Sequence, residues 1–316
     1  MKNKMISLVL TAAMAVTMCG CGSTGAAGTS SAVSSQASTA ESSAAASTTG
    51  ASSEVLADGV LTVGTNAEFP PFEYVDDNGE PDGFDMALVK AIGEKMGVKV
   101  EIQNMEFDSL VSSIGNKIDI AAAGMTITDE RKNTVDFSDP YYEALQYVIV
   151  PKDSDIKSAA DLSGKNIGTQ LGTTGDLDVQ DMSSNDSTIT DSPYDTAALA
   201  VQDLLNGKID CVVIDKNPAE VLASKYPDKL DALDGKDFDF AAEDYAIAMP
   251  KGDTDLQAQI NKALADLKAD GTFDKLVAQY IEGDSDAATA ETTTAVTTEA
   301  STEASTAAET TTTKSE

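Results

Sequence analysis

The sequence predicts an α/β protein of two similar lobes. Each lobe should carry a mostly parallel sheet with flanking helices, and two hinge crossovers should join them. Three observations predict this. Short apolar strand patterns alternate with helical patterns along the middle of the chain. The passage Ser113-Ile114-Gly115-Asn116-Lys117-Ile118-Asp119 is echoed by Leu204-Leu205-Asn206-Gly207-Lys208-Ile209-Asp210, and each precedes an apolar run. Tyr147-Val148-Ile149-Val150-Pro151-Lys152 is echoed by Tyr245-Ala246-Ile247-Ala248-Met249-Pro250-Lys251, each an extended run stopped by Pro-Lys. Extended segments can carry a chain between lobes and act as hinges, which puts the crossovers near 145–150 and 240–247.

Gly59 to Gly64 has the pattern of a strand. From Phe84 to Met96, Met86, Val89, Ile92 and Met96 recur near helical spacing, and Gly97 closes the helix. Val98 to Met105 alternates as a second strand, Phe107 to Asn116 is a helix, and Ile118 to Ala123 is a buried strand. A second run begins with the strand Asn166 to Gln170, followed by the turn Gly172-Thr173-Thr174-Gly175 and a helix. Asp195 is placed to cap a helix over Thr196 to Leu205, Asn206-Gly207 ends it, and Ile209 to Ile214 is a strand. Helices over Leu256 to Ala269 and Thr272 to Ile281 should return to the first lobe. The lobes are then 55–146 with 245–283, and 147–244.

The two ends differ from this middle. Residues 1–21 form a signal: Lys2 and Lys4 give a positive start, and Met5 to Met18 an apolar segment too short to span a bilayer. Residues 22–54 are a Ser/Ala/Thr tether, and 284–316 a Thr/Ala/Glu-rich tail; neither has the apolar residues to form a core.

Composition excludes several function classes. Of 316 residues, 53 are acidic and 21 basic, a net charge of -32. A nucleic-acid surface needs a basic footprint, so that class is excluded. The chain has no histidine and three cysteines, of which only Cys211 lies beyond the signal. A His-based nucleophilic triad is impossible, and a Cys/His zinc site has no ligands. No metal and no cofactor is expected.

One residue points at a ligand. Arg131 is the only arginine in the chain, so a guanidinium stands where lysine is otherwise used. Its paired donors match a carboxylate, which an ammonium cannot do. Thr128 can cap a helix that starts just past the strand end at Gly124, and Arg131 falls on its first turn. Ligands of open α/β sheets bind beyond the carboxyl ends of strands, which places Thr126 and Arg131 at a site. On the other lobe, Gly172-Thr173-Thr174-Gly175 offers backbone N–H groups to an anion. Asp215 ends the strand Ile209 to Ile214 and can take a cation. Together these groups fit a zwitterion.

At these residues the chain resembles the polar amino-acid-binding proteins of ABC importers, which are extracellular solute-binding proteins of family 3. The resemblance rests on Gly64-Thr65-Asn66-Ala67-Glu68-Phe69-Pro70-Pro71-Phe72-Glu73-Tyr74, Gly83-Phe84-Asp85-Met86, and Ala123-Gly124-Met125-Thr126-Ile127-Thr128-Asp129-Glu130-Arg131. Asp136-Phe137-Ser138-Asp139-Pro140-Tyr141-Tyr142, the Gly172–Gly175 turn and Asp270-Gly271-Thr272-Phe273-Asp274-Lys275-Leu276 also match. It covers about 58–282 and implies the periplasmic-binding-protein fold. It implies that Arg131 pairs with a ligand α-carboxylate, helped by Thr126 and the Thr174 amide. Asp215 would take the α-ammonium, with Gly124 and Thr126 assisting. Phe69 and Phe107 would sandwich the side chain, and Asn66 and Gln170 would face its tip; Met125 and Thr173 complete the set. Asn66 stands where many members carry Asp, and Gln170 where the glutamine binders carry Lys, which suggests a neutral polar side chain.

The function expected is capture of a polar L-amino acid by a monomer and delivery to an ABC permease. The small residue before Cys21 resembles a lipobox, so Cys21 should be lipidated. That would tether the protein to the outer face of the cell membrane in a Gram-positive-type envelope. The alternative is a secreted enzyme on the same fold, resembling cyclohexadienyl dehydratases, with Glu73 as its candidate acid.

Overall fold

A computed structural model describes residues 56–283. The signal, the tether, Cys21 and the tail therefore lie outside the described residues. The chain begins with β1 (Val60–Thr65), then β2 (Glu68–Phe69), β3 (Glu73–Val75) and β4 (Pro81–Asp82), which form a small antiparallel sheet. Next come α1 (Phe84–Met96), β5 (Lys99–Asn104), α2 (Phe107–Ser113), β6 (Ile120–Ala121), the single-turn helix α3 (Asp129–Lys132) and β7 (Val135–Phe137). The second lobe uses β8 (Tyr142–Pro151), β9 (Asn166–Gln170), α4 (Thr174–Asn185), β10 (Thr190–Tyr194), α5 (Ala197–Leu205), β11 (Cys211–Asp215), α6 (Lys216–Ser224) and β12 (Leu230–Leu233). The chain then returns through β13 (Ala242–Tyr245) to β14 (Ala248–Pro250), α7 (Thr254–Ala269) and α8 (Thr272–Leu276).

Each lobe is built on its own sheet. The first has the order β5-β1-β6-β14-β7; β1 runs parallel to β5 and β6, and β14 runs antiparallel to β6 and β7. The second has the order β10-β9-β11-β8-β12; β9, β10 and β11 are parallel, and β8 is antiparallel to β11 and β12. Each sheet is thus parallel apart from the strands that enter from the other lobe. The helices α7 and α8 pack on α1, so the described residues end on the lobe where they begin.

Local sequence accounts for the elements. α1 ends where Gly97 takes φ 73, a left-handed conformation that costs glycine little, and its N–H closes on the last turn. α5 starts one residue later than expected. Thr196, not Asp195, is the cap, accepting from Leu199 N through its hydroxyl at 3.2 Å. α2 stops at Ser113 because Ile114 is extended and Gly115 has φ 76.

The first crossover falls earlier than the Pro-Lys echo suggests. Val148, Ile149 and Val150 are fully buried in the second lobe's core and are ladder residues, not hinge residues. The crossing runs from Ser138 into the first half of β8. There Tyr142–Leu145 pair antiparallel with Ala242–Tyr245 of β13, so the outgoing and returning chains are hydrogen-bonded to each other. Phe72, Tyr142 and Tyr245 pack edge to face or tilted around this ribbon, with ring centroids 4.9–5.7 Å apart.

Candidate functional site

The carboxyl ends of β6, β9 and β11 face one another across the gap between the lobes. Eight of the eleven predicted residues line one cavity there: Phe69, Phe107, Gly124, Thr126, Arg131, Thr173, Thr174 and Asp215. The cavity is small, about 10 Å³, because polar groups of the two lobes meet directly across it. Arg131 Nη2 donates to Gly172 O at 3.0 Å, and Gln170 Nε2 donates to Asn66 Oδ1 at 2.9 Å. This is a closed arrangement of the lobes.

Arg131 is fixed from several sides. Its helix is capped by Thr128, whose hydroxyl accepts from Arg131 N at 3.1 Å. Nη1 donates to Thr126 O at 2.7 Å, and the guanidinium carbon lies 5.4 Å from the Phe107 ring centroid, within cation–π range. The residue is 9% exposed, and among the described residues it makes no ion pair. Burial holds its pKa below the usual arginine range, partly offset by the nearby carboxylates of Glu243 and Asp215. A buried cation that hydrogen-bonds only to carbonyl oxygens, with no carboxylate in contact, can still take an anion.

Asp215 closes β11 and begins α6. It is 5% exposed, and its Oδ1 has no hydrogen-bond partner among the described residues. Burial first and Glu243 second push its pKa up to about 7, with Tyr245 and Gln146 pulling it back. A cation brought beside it would find an acceptor already desolvated.

Gly124 sits between these groups with φ 53. A Cβ there would come within 3.1–3.3 Å of the Phe69 and Tyr245 rings, so both conformation and space favour glycine. Its N–H donates to Asp85 Oδ2 at 2.8 Å, and Tyr141 Oη donates to the same oxygen at 2.7 Å. Asp85 is fully buried with its pKa raised to about 6, chiefly by burial. The neighbouring Glu73 is also fully buried, and burial and then Asp85 raise its pKa well above the carboxylate range.

The remaining predicted residues behave differently. Asn66 and Gln170 do not line the cavity. They bond each other across the lobes, and Asn66 Nδ2 also donates to Met105 O at 3.0 Å. Met125 is a correction: it is fully buried in the first lobe's core with Leu110, Val135 and Ala246. Apolar residues next to a strand end pack inward as readily as outward, and this one packs inward. Sequence reading missed Glu243, whose Oε2 accepts from the hydroxyls of both Thr126 and Thr174. No motif marks it, and acids are abundant throughout the chain.

The raised carboxyls make a stability prediction. Between the ordinary aspartate value of 3.8 and about 7, the folded protein holds protons on Asp85 and Asp215 that the unfolded chain has released. Stability therefore falls as pH rises through that interval. Calorimetry of the protein without added amino acid should give a higher thermal midpoint near about pH 5 than near about pH 7.5, with a shallower slope in Asp215→Asn. A midpoint that rises with pH across this interval would contradict the assignment.

The profile of the bacterial extracellular solute-binding proteins, family 3, matches residues 61–283. A probable histidine-binding protein of Neisseria gonorrhoeae is 37% identical over 227 residues, covering 70% of this chain and 82% of the relative. The ABC transporter arginine-binding protein 1 of Escherichia coli is 37% identical over 223 residues, covering 70% and 90%. Among solved structures, an ancestral arginine-binding protein bound to arginine superposes with a TM-score of 0.67 at 42% identity, covering 71% of this chain and 98% of that one.

Proposed function

The chain belongs to the bacterial extracellular solute-binding proteins, family 3, and from that premise we propose that it captures a polar L-amino acid and delivers it to an ABC permease. The observation that carries this reading is a pair of incomplete charges on opposite lobes. Arg131 is a buried guanidinium without an anion, and Asp215 is a buried carboxyl with a free oxygen, both at one cavity. A zwitterion would complete both once the direct contacts of Arg131 with Gly172 O and of Gln170 with Asn66 part to admit it. A ligand that touches both lobes stabilises their closed form by contacts the open form lacks.

The side chain is proposed to be cationic, against the neutral one expected from Asn66 and Gln170. Those amides are engaged with each other and with Met105 O, so they express no charge preference. The relatives named for histidine and arginine support the same reading. A thermal-shift screen of the common amino acids tests it. A ligand at about a hundred times its Kd should add about 2.7 kcal/mol of stability, with L-arginine and L-histidine giving the largest shifts. No shift with any amino acid would end the proposal.

The relatives are named for binding, and binding is proposed here over catalysis. Glu73, the candidate acid for a dehydratase, is fully buried and does not line the cavity. Lipidation at Cys21, attachment to the outer face of the membrane and a monomeric state are also proposed. Cys21→Ala should move the protein from the membrane fraction to the medium; unchanged fractionation would refute the anchor.

A further inference from the structure

Glu243 lies on β13 and touches both lobes. Its Oε2 accepts from Thr126 Oγ1 at 2.6 Å, on the first lobe, and from Thr174 Oγ1 at 2.7 Å, at the start of α4 on the second. Both threonines line the cavity and Glu243 does not. It stands behind them, where it lines the outer groove that also takes in Ile127, Leu177 and Asp244.

The backbone ties Glu243 to one lobe more firmly than the other. Ile127 N donates to Asp244 O at 2.9 Å, Ala246 N donates to Met125 O at 3.0 Å, and Thr126 pairs with Tyr245 in an isolated bridge. Residues 125–127 of the first lobe therefore grip the strand on which Glu243 sits. The bond to Thr174 is the one that reaches across, and parting of the lobes breaks it.

The same bonds set the polarity of the hydroxyls. A hydroxyl has one proton to give. With that proton committed to Glu243, Thr126 and Thr174 offer only lone pairs to any other neighbour. Gln146 Nε2 already uses one of them, donating to Thr174 Oγ1 at 3.3 Å. Such hydroxyls suit an ammonium and not a carboxylate, which leaves the anion to Arg131 and backbone N–H groups.

We propose that Glu243 is a positioning residue that latches Thr126 to Thr174 across the cleft, favouring the closed form and turning both hydroxyls into acceptors for the ligand's cationic group. The latch stands on the geometry alone; the acceptor role rests on the amino-acid site proposed above.

Wild type, Glu243→Gln and Glu243→Ala of the full chain test both parts. Small-angle scattering without added amino acid should show a larger radius of gyration for Glu243→Ala than for wild type. Glu243→Gln should match wild type, because its amide oxygen still accepts both protons. Calorimetry with L-arginine and L-histidine should show Glu243→Ala weakened at least about tenfold and Glu243→Gln within about threefold. Wild-type scattering and affinity in Glu243→Ala would overturn the proposal, as would a Glu243→Gln protein as impaired as Glu243→Ala. Should Glu243→Ala fail to fold by circular dichroism, Thr174→Val removes the same tie from the opposite lobe and must give the same expansion. If wild type binds neither amino acid, the reading of the site fails, and the scattering comparison still decides the latch.

Discussion

Arg131→Ala is expected to reduce amino-acid affinity by at least about a thousandfold. The side chain is buried, its helix is capped by Thr128, and Phe107 and two carbonyl oxygens fix its plane. A ligand carboxylate meeting this fork gains two charge-assisted bonds in a site that excludes water, each worth about 1.5–3 kcal/mol. Without the fork, that carboxylate would be buried unpaired, and the closed form would be disfavoured. Arg131→Lys should recover only part of the loss. An ammonium keeps the charge but gives up the paired geometry and the stacking on Phe107. Folding should change little, since the variant also removes a buried charge that makes no direct ion pair among the described residues. Titration calorimetry with L-arginine decides the matter: affinity within about tenfold of wild type would refute the role.

Asp215→Asn should cost at least about a hundredfold in affinity and also change its pH dependence. Without a ligand, the Asp215 carboxyl has a pKa of about 7. An ammonium beside it favours the ionised form and pulls that pKa down, so binding below about pH 7 must expel a proton. Wild-type affinity is therefore full above about pH 7 and falls as pH drops through it, by up to tenfold per unit. The asparagine variant has no proton to expel there and should show a flatter profile. The groups around Asp215 are Arg131, Glu243, Tyr245, Gln146 and the buried Glu73. Among the acids, burial raises the pKa of Glu73 well above the carboxylate range and that of Asp85 to about 6. A wild-type affinity that is level between about pH 5 and 8 would show that Asp215 does not serve as the ammonium partner.

Much of this was legible in the sequence, for reasons that differ by residue. The span of α1 follows from its apolar spacing and the glycine that stops it, both local features. Arg131 stood out because it is a single fork among lysines, and Asp215 because it ends an apolar strand. The crossover was expected near 145–150, just past the ribbon at 142–145, because a buried ladder strand and a hinge strand share one pattern of extended apolar residues. Val148 to Val150 fit both, and only their burial separates the two. Asn66 and Gln170 were expected to face the tip of a ligand side chain; they bond each other instead, a contact that depends on how the lobes close. Glu243 was invisible because its meaning lies in three positions, 126, 174 and 243, that are far apart along the chain. The burial of Glu73 and Asp85 was hidden in the same way, since an acid in a core looks like any other acid in sequence.

Four residues of β8 and four of β13 form a continuous ladder across the junction, so the two connections cannot swivel independently. A hydrogen-bonded ribbon flexes easily out of its plane and resists shear within it. A relative motion of the halves that keeps these bonds is a bend of the ribbon out of its plane. Rotation about other axes would have to tear ladder bonds.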